Sequence, residues 1–115
     1  MPNCLFQFQK FGVWSHIGGF KVGTDAVLLG AWAKCDNRSS VLDIGAGTGV
    51  LSLMVSQRTK ACITAIDINE QAALQSAWNF QRSPFGSLCV KQISLQDFAR
   101  THAKFDHIIC NPPYF

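Results

Sequence analysis

The segment Val41-Leu42-Asp43-Ile44-Gly45-Ala46-Gly47-Thr48-Gly49 decides the fold of this chain. Its first residues are mostly apolar and strand-favouring, and they predict a short buried strand that ends in a glycine-rich turn. Three glycines at alternate positions let the backbone turn sharply and let a ligand approach the main chain without interference from a Cβ atom. A helix that begins near Val50 would direct unpaired N–H groups at that ligand.

An acidic residue precedes this turn, and the turn departs from the dinucleotide-binding pattern. Asp43 stands at the carboxyl end of the predicted strand, where a carboxylate repels a phosphate and favours a ligand that carries an ammonium group. The position that a dinucleotide-binding loop gives to its third glycine is Val50. The loop therefore favours a cationic, zwitterionic nucleoside over a pyrophosphate. The alternative is a glycine turn with a purely structural role.

Composition places the chain among small globular domains. It has 115 residues, of which 48% are hydrophobic and 15% are charged, and these values suit one domain with a modest core. The net charge of +3 is compatible with a nucleic-acid substrate but does not by itself indicate one, because the basic residues are scattered. The sequence shows no signal-peptide pattern and no apolar run long enough to span a membrane.

The cysteines predict a reducing, cytoplasmic environment. There are five of them, an odd number, and no CxxC pair occurs, so we expect neither structural disulfides nor a metal site. A thiol inside a strand behaves as a small hydrophobic side chain. We therefore expect the cysteines within predicted strands to be buried; these are Cys62, Cys89 and Cys110.

Most of the chain alternates predicted strands with predicted helices. The spacing predicts strands over residues 40–45, 61–67, 88–93 and 105–110, and helices over residues 50–58, 70–82 and 95–102. This alternation indicates βαβ units, and hence an α/β fold with a parallel sheet and helices on both faces. Residues 1–115 would form a single domain, whose ligand binds beyond the carboxyl ends of the strands.

The amino-terminal part lies outside this βαβ pattern. Residues 5–11 alternate apolar and polar side chains, and residues 13–20 can return as a hairpin partner, so we expect residues 1–20 to form a β-hairpin. This hairpin acts either as a flap over a site or as an edge that covers the core. Thr24 or Asp25 is expected to cap a helix over residues 26–33. A helix N-terminus at this position can also present N–H and hydroxyl groups to a ligand, and the two interpretations of Thr24 are equally good.

Two further motifs fall at the carboxyl ends of predicted strands. Asp67 can accept two hydrogen bonds from a ribose diol, although a strand-end Asp often caps a helix or forms a turn. The segment Asn111-Pro112-Pro113-Tyr114 is stiff, because its prolines fix φ and remove N–H donors. The side-chain carbonyl of Asn111 and the main-chain carbonyl of Pro112 can hold both hydrogens of a planar amino group. Tyr114 offers a face on which a heterocycle can stack.

Together these motifs resemble those of class I S-adenosylmethionine-dependent methyltransferases. The glycine loop is similar to the first motif of that family. Asn-Pro-Pro-Tyr is similar to the catalytic motif of the members that act on planar amino groups, namely adenine and cytosine amines and glutamine side-chain amides. The stretches at residues 6–11, 21–25 and 28–32 narrow the resemblance to the bacterial enzymes that methylate N6 of an adenine beside the anticodon of valine tRNA.

The resemblance implies a Rossmann-like fold, S-adenosylmethionine as the cofactor and a tRNA substrate. It assigns to the target base the residues Asn111, Pro112, Pro113 and Tyr114. It assigns to the cofactor the residues Lys21, Gly23, Thr24, Asp25, Asp43, Gly45, Gly47, Gly49, Asp67 and Ser94. Asp67 would contact the ribose, and Ser94 the adenine amine, for which Asp97 is the alternative.

The family's sheet has three strands more than the four predicted here. The resemblance therefore implies that the chain corresponds to the amino-terminal half of the enzyme. We expect the fourth strand to be an uncovered apolar edge, so that this chain alone is poorly stable, self-associated through that edge, or inactive. The alternative functions are methylation of protein glutamine or of an rRNA amine, and cofactor binding without catalysis.

Overall fold

The structure is a computed structural model that describes residues 5–112. Strands and helices alternate along most of this range. In chain order they are β1 (Leu5–Gln7), β2 (Gly12–Trp14), α1 (Thr24–Trp32), β3 (Ser40–Ile44), α2 (Val50–Ser56), β4 (Cys62–Asp67), α3 (Glu70–Arg82), β5 (Leu88–Gln92), α4 (Leu95–Ala99) and β6 (His107–Cys110).

The last four of these strands form one parallel sheet in the order β5-β4-β3-β6. The chain moves outward from β3 to β4 and β5, and it then returns to the opposite side of β3. This reversal makes the carboxyl ends of β3 and β6 a topological switch point, where a crevice opens in sheets of this kind. The predicted α/β fold with a parallel sheet is confirmed.

The two faces of the sheet are covered unequally. The main core lies between one face and the helices α1, α2 and α3, and it includes Val41, Leu53, Ile63 and Phe80. The other face carries a smaller cluster around Phe98 of α4. Helices therefore lie on both faces, as predicted, but most of the apolar burial is on one of them.

The prediction that three cysteines are buried is wrong. Cys62, Cys89 and Cys110 lie in β4, β5 and β6, as expected, but all three are exposed. Strand alternation and the observed register turn their side chains to the face that carries only α4. Ile108 on the same face is 62% exposed for the same reason. A strand pattern predicts which residues share a face, but it does not predict whether that face is covered.

The amino-terminal hairpin is present but shorter than expected. β1 and β2 pair antiparallel over three residues each. The predicted capping of α1 by Thr24 or Asp25 is wrong, because the helix begins earlier, at Thr24, after Gly23 at the N-cap position. No side chain caps this helix, and Thr24 and Asp25 lie in its first turn.

The turn after β3 requires its glycines for a conformational reason. Gly45, Gly47 and Gly49 have φ angles of 71°, 58° and 86°, in the left-handed region that other residues rarely adopt. Gly49 is also the N-cap residue of α2. A Cβ atom at Gly49 would lie 2.7 Å from Cε1 of Phe80 in α3, so this glycine also lets the turn approach α3 closely.

Replacement of Gly49 tests this packing. Gly49→Ala should lower the free energy of unfolding by about 2–4 kcal/mol, because it adds a strained φ angle to a steric clash. Gly86→Ala is the matched control, since its Cβ atom would meet open space, and it should change stability by less than about 0.5 kcal/mol. Denaturant unfolding followed by circular dichroism measures both variants. Equal stability of the two variants would contradict the argument.

Candidate functional site

A cavity of about 950 Å³ opens at the carboxyl ends of β3, β4 and β6. Its volume suits a nucleoside-sized ligand. Stretches that are far apart in the sequence meet here, because the carboxyl ends of parallel strands share one edge of the sheet. The walls come from within residues 20–26, 44–51, 66–69, 93–96 and 111–112.

Most of the predicted site residues lie on the wall of this cavity. They are Lys21, Gly23, Thr24, Asp25, Gly45, Gly47, Asp67, Ser94, Asn111 and Pro112. Two predicted residues, Asp43 and Gly49, do not line it. The remaining two, Pro113 and Tyr114, lie outside the described residues.

Asp67 links the end of β4 to the glycine turn. Its Oδ2 accepts a hydrogen bond of 3.0 Å from the Gly47 N–H, and its Oδ1 accepts one of 2.9 Å from the Asn69 N–H. The Gly45 N–H donates to the carbonyl of Ile66 at 2.9 Å, so the turn is bound to β4 at two points. Each oxygen of an ionised carboxylate can accept a second hydrogen bond, so Asp67 can also bind a hydroxyl group in the cavity.

Asp43 is buried beneath the turn and does not reach the cavity, so the expectation that it contacts a ligand directly is not supported. Its side chain is 0% exposed, and its Oδ2 accepts a hydrogen bond of 2.7 Å from the Ser52 hydroxyl in α2. Its Oδ1 has no hydrogen-bond partner within the described part of the chain. Burial raises the pKa of Asp43 from 3.8 to about 6; the bonds from Ser52 oppose this rise and the charge of Asp67 adds to it.

Ser94, and not Asp97, borders the cavity. Ser94 is the N-cap residue of α4, and its hydroxyl oxygen accepts a hydrogen bond of 3.0 Å from the Asp97 N–H. The Asp97 carboxylate is exposed and lies 3.6 Å from the guanidinium of Arg100. Of the two residues that the sequence offered as alternatives, only Ser94 lines the cavity.

Two apolar side chains at the cavity were not predicted as site residues. Ile68 follows Asp67, Leu95 follows Ser94, and both line the cavity although they are 71% and 46% exposed. Large apolar side chains that remain exposed beside a cavity mark a contact surface for an apolar or aromatic group. The sequence signal for them is an apolar residue directly after a polar residue at, or just beyond, the end of a strand.

Residues 5–112 contain neither a cluster of metal-ligating side chains nor a helix that could cross a membrane. No group of three or more His, Cys, Asp or Glu side chains in this range could hold a metal ion. None of the helices described there has both the length and the hydropathy to cross a membrane.

The raised pKa of Asp43 predicts a specific pH dependence of stability. The folded chain binds a proton at Asp43 more tightly than the unfolded chain does, so stability falls as the pH rises from 3.8 to about 6. The difference between these two pKa values corresponds to about 3 kcal/mol of unfolding free energy. Asp43→Asn is neutral at every pH and should remove this fall. Unfolding free energies at about pH 4 and pH 7 measure the effect.

Other groups also titrate in this interval, so the informative quantity is the difference between the wild-type chain and the variant. Asp97→Asn, which alters an exposed carboxylate, is the control and should follow the wild-type chain at both pH values. From about pH 4 to pH 7, the unfolding free energy should therefore change less favourably for the wild-type chain than for Asp43→Asn. Equal changes in the two proteins would contradict the raised pKa of Asp43.

Comparison with known proteins places this chain among methyltransferases. The sequence profile of the family described as "Methyltransferase small domain" matches residues 7–115. The tRNA1(Val) (adenine(37)-N6)-methyltransferase of Parabacteroides distasonis is 47% identical over 117 residues, which cover 100% of this chain and 49% of that protein. The protein of the same name from Shewanella sediminis is 47% identical over 116 residues, which cover 96% of this chain and 48% of that protein. The chain thus spans about half the length of the curated relatives that it matches.

Solved structures show the same fold at lower sequence identity. A putative SAM-dependent methyltransferase from Streptococcus mutans superimposes with a TM-score of 0.76 at 16% identity, over 98% of this chain and 34% of that one. A putative RNA methyltransferase from Pyrococcus horikoshii superimposes with a TM-score of 0.61 at 24% identity, over 76% of this chain and 42% of that one. These similarities support the Rossmann-like arrangement of the sheet and its helices.

Proposed function

The chain belongs to the methyltransferase small domain family, and on this premise we propose that it binds S-adenosylmethionine and methylates N6 of an adenine in valine tRNA. The observation that carries the proposal is the meeting of three motifs in one cavity: the glycine turn, Asp67 and the Asn111-Pro112 segment. The names of the curated relatives support the choice of substrate.

The residues of the cavity fit the chemical groups of S-adenosylmethionine. Asp67 can accept hydrogen bonds from the ribose hydroxyls. Ile68 and Leu95 offer apolar contact to the adenine ring, and Ser94, directly before Leu95 in the chain, adds a hydroxyl to the cavity wall. Glycines in the turn leave its main chain accessible, because no Cβ atoms stand between the backbone and the ligand.

The geometry at β6 supports transfer to a planar amine. β6 pairs with β3 so that Cys110 is opposite Ile44, and Asn111 therefore emerges beside the start of the glycine turn. When bound, S-adenosylmethionine would supply an electrophilic methyl group. The Asn111 side-chain carbonyl and the Pro112 main-chain carbonyl would accept the two hydrogens of the target amine and orient its lone pair. Tyr114 would stack on the base, and water would take the proton of the methylated amine.

The proposal includes the setting of the reaction. The partner is a tRNA, and the compartment is the cytoplasm, where we expect the free thiols to remain reduced. Self-association belongs to the same proposal, because β3 is the neighbour of β6 in the sheet and the other edge of β6 is open among the described strands.

Asp67→Asn tests the ribose contact. The substitution replaces one carboxylate oxygen by an NH2 group, so one oxygen fewer is available to accept from the Gly47 N–H and from the ribose hydroxyls. The Kd for S-adenosylmethionine should therefore rise about tenfold. Calorimetric titration of the purified chain gives the Kd. Asp97→Asn, which removes a carboxylate outside the cavity, should bind as the wild-type chain does. Unchanged binding by Asp67→Asn would remove Asp67 from the proposed site.

Asn111→Ala tests the role of the amine contact. Because Asn111 is proposed to hold the target base, the variant should keep its Kd for S-adenosylmethionine within about twofold but lose about a hundredfold in the rate of methyl transfer. Transfer of labelled methyl groups to unmodified valine tRNA, with mass spectrometry of the nucleosides, measures the rate and identifies the product.

The wild-type results separate the candidate functions. Formation of N6-methyladenine supports the proposal. If the chain binds S-adenosylmethionine and methylates none of the substrates offered, it is a cofactor-binding chain without catalysis. If it methylates a glutamine peptide or rRNA and not tRNA, its substrate is a different amine. Absence of binding by the wild-type chain would overturn the proposed function.

A further inference from the structure

We propose that Asn79 is a positioning residue that holds two walls of the cavity at a fixed separation, an inference that rests on the proposed binding of S-adenosylmethionine. One wall is the glycine turn, residues 45–49. The other wall is the flap, defined here as residues 15–23 between β2 and α1, which contributes Phe20, Lys21 and Gly23 to the cavity. Asn79 itself does not line the cavity.

Helix α3 is unusual in the polar side chains that it buries. This helix carries three polar side chains that are 0% exposed, namely Gln75, Ser76 and Asn79. Burial of a polar group is costly unless it forms hydrogen bonds, so residues of this kind are expected to hold specific partners. The partners of all three lie in the two walls of the cavity or at the end of β2.

Asn79 binds both sides at once. Its Nδ2 donates to the Thr48 carbonyl in the glycine turn at 2.7 Å and to the Trp14 carbonyl at the end of β2 at 2.9 Å. Its Oδ1 accepts a hydrogen bond of 2.9 Å from the Trp14 N–H. A single carboxamide therefore connects the base of the flap to the glycine turn, and this requires two donor hydrogens and an acceptor on one short side chain.

The two neighbouring polar residues each bind one wall. The Ser76 hydroxyl donates to the Gly47 carbonyl at 2.9 Å, in the glycine turn. The Gln75 Oε1 accepts a hydrogen bond of 2.5 Å from the Ile17 N–H, in the flap. These contacts make α3 a common support for two segments that both line the cavity, and Asn79 is the residue that joins them.

Asn79→Ala measures the effect on binding. Loss of the bridge should raise the Kd for S-adenosylmethionine about tenfold, in calorimetric titrations at a temperature where the variant is folded. Ser39→Ala is the matched control. Ser39 is 6% exposed and its hydroxyl donates to the Asp36 carbonyl at 2.7 Å, but it does not line the cavity, so its loss should leave the Kd within about twofold.

Hydrogen exchange gives a readout that does not depend on the ligand. Ser76→Ala should speed amide exchange in the glycine turn, and Gln75→Met should speed it in the flap. Asn79→Ala should speed exchange in both segments. Each one-sided variant should raise the Kd by about threefold, less than Asn79→Ala does. A residue that only stabilises the fold would not produce this division between the two walls.

The outcomes separate this inference from the proposed function. If the wild-type chain does not bind S-adenosylmethionine, the proposed function fails. The amide exchange of the Asn79, Ser76 and Gln75 variants still tests whether Asn79 joins the two walls. Wild-type binding by Asn79→Ala overturns the inference, and so does a rise in amide exchange that is spread over the whole chain. If Asn79→Ala does not fold, the one-sided variants decide, and wild-type exchange in both of them overturns it.

Discussion

The hydrogen bond from the Gly47 N–H to the Asp67 carboxylate is the contact on which the site depends. The three left-handed glycines have no side chains with which to fix the turn, so neighbouring elements must hold their backbone. β4 holds it from one side through Asp67 and the carbonyl of Ile66. α3 holds it from the other side through Ser76 and Asn79. The cavity wall is thus built before any ligand binds, which favours tight binding because less ordering is required.

The two strand-end acids show how depth decides the role of a carboxylate. Asp43 is paired with Ala65 in the sheet register, so Asp67 lies two residues further toward the carboxyl edge than Asp43 does. Two residues of a strand span roughly 7 Å, which separates the rim of a sheet from its interior. Asp67 accordingly meets the cavity, whereas Asp43 lies under the turn, binds Ser52 and has a raised pKa.

The unequal cover of the sheet explains where apolar surface remains exposed. Three helices bury one face, while the other face has only the short α4 and the cluster around Phe98. The exposed thiols of Cys62, Cys89 and Cys110, with the exposed Ile108, all belong to this second face. The cavity draws residues from this face as well as from the rim, since Ile44 and Ile66 both line it and belong to the side of the sheet that carries Phe98.

The order of the elements, the glycine turn and most site residues could be predicted from the sequence, because hydrophobic periodicity, glycine conformation and helix capping act over short stretches of chain. Helix α3, for example, has the predicted bounds, since Asn69 caps its start and Pro84 follows its end. Only the tertiary structure placed β6 beside β3, and this pairing brings Asn111 to the glycine turn. The burial of Asp43, the exposure of the strand cysteines and the two partners of Asn79 were also decided only at that level. Each of these depends on contacts between residues far apart in the chain, and such contacts leave no local pattern in the sequence.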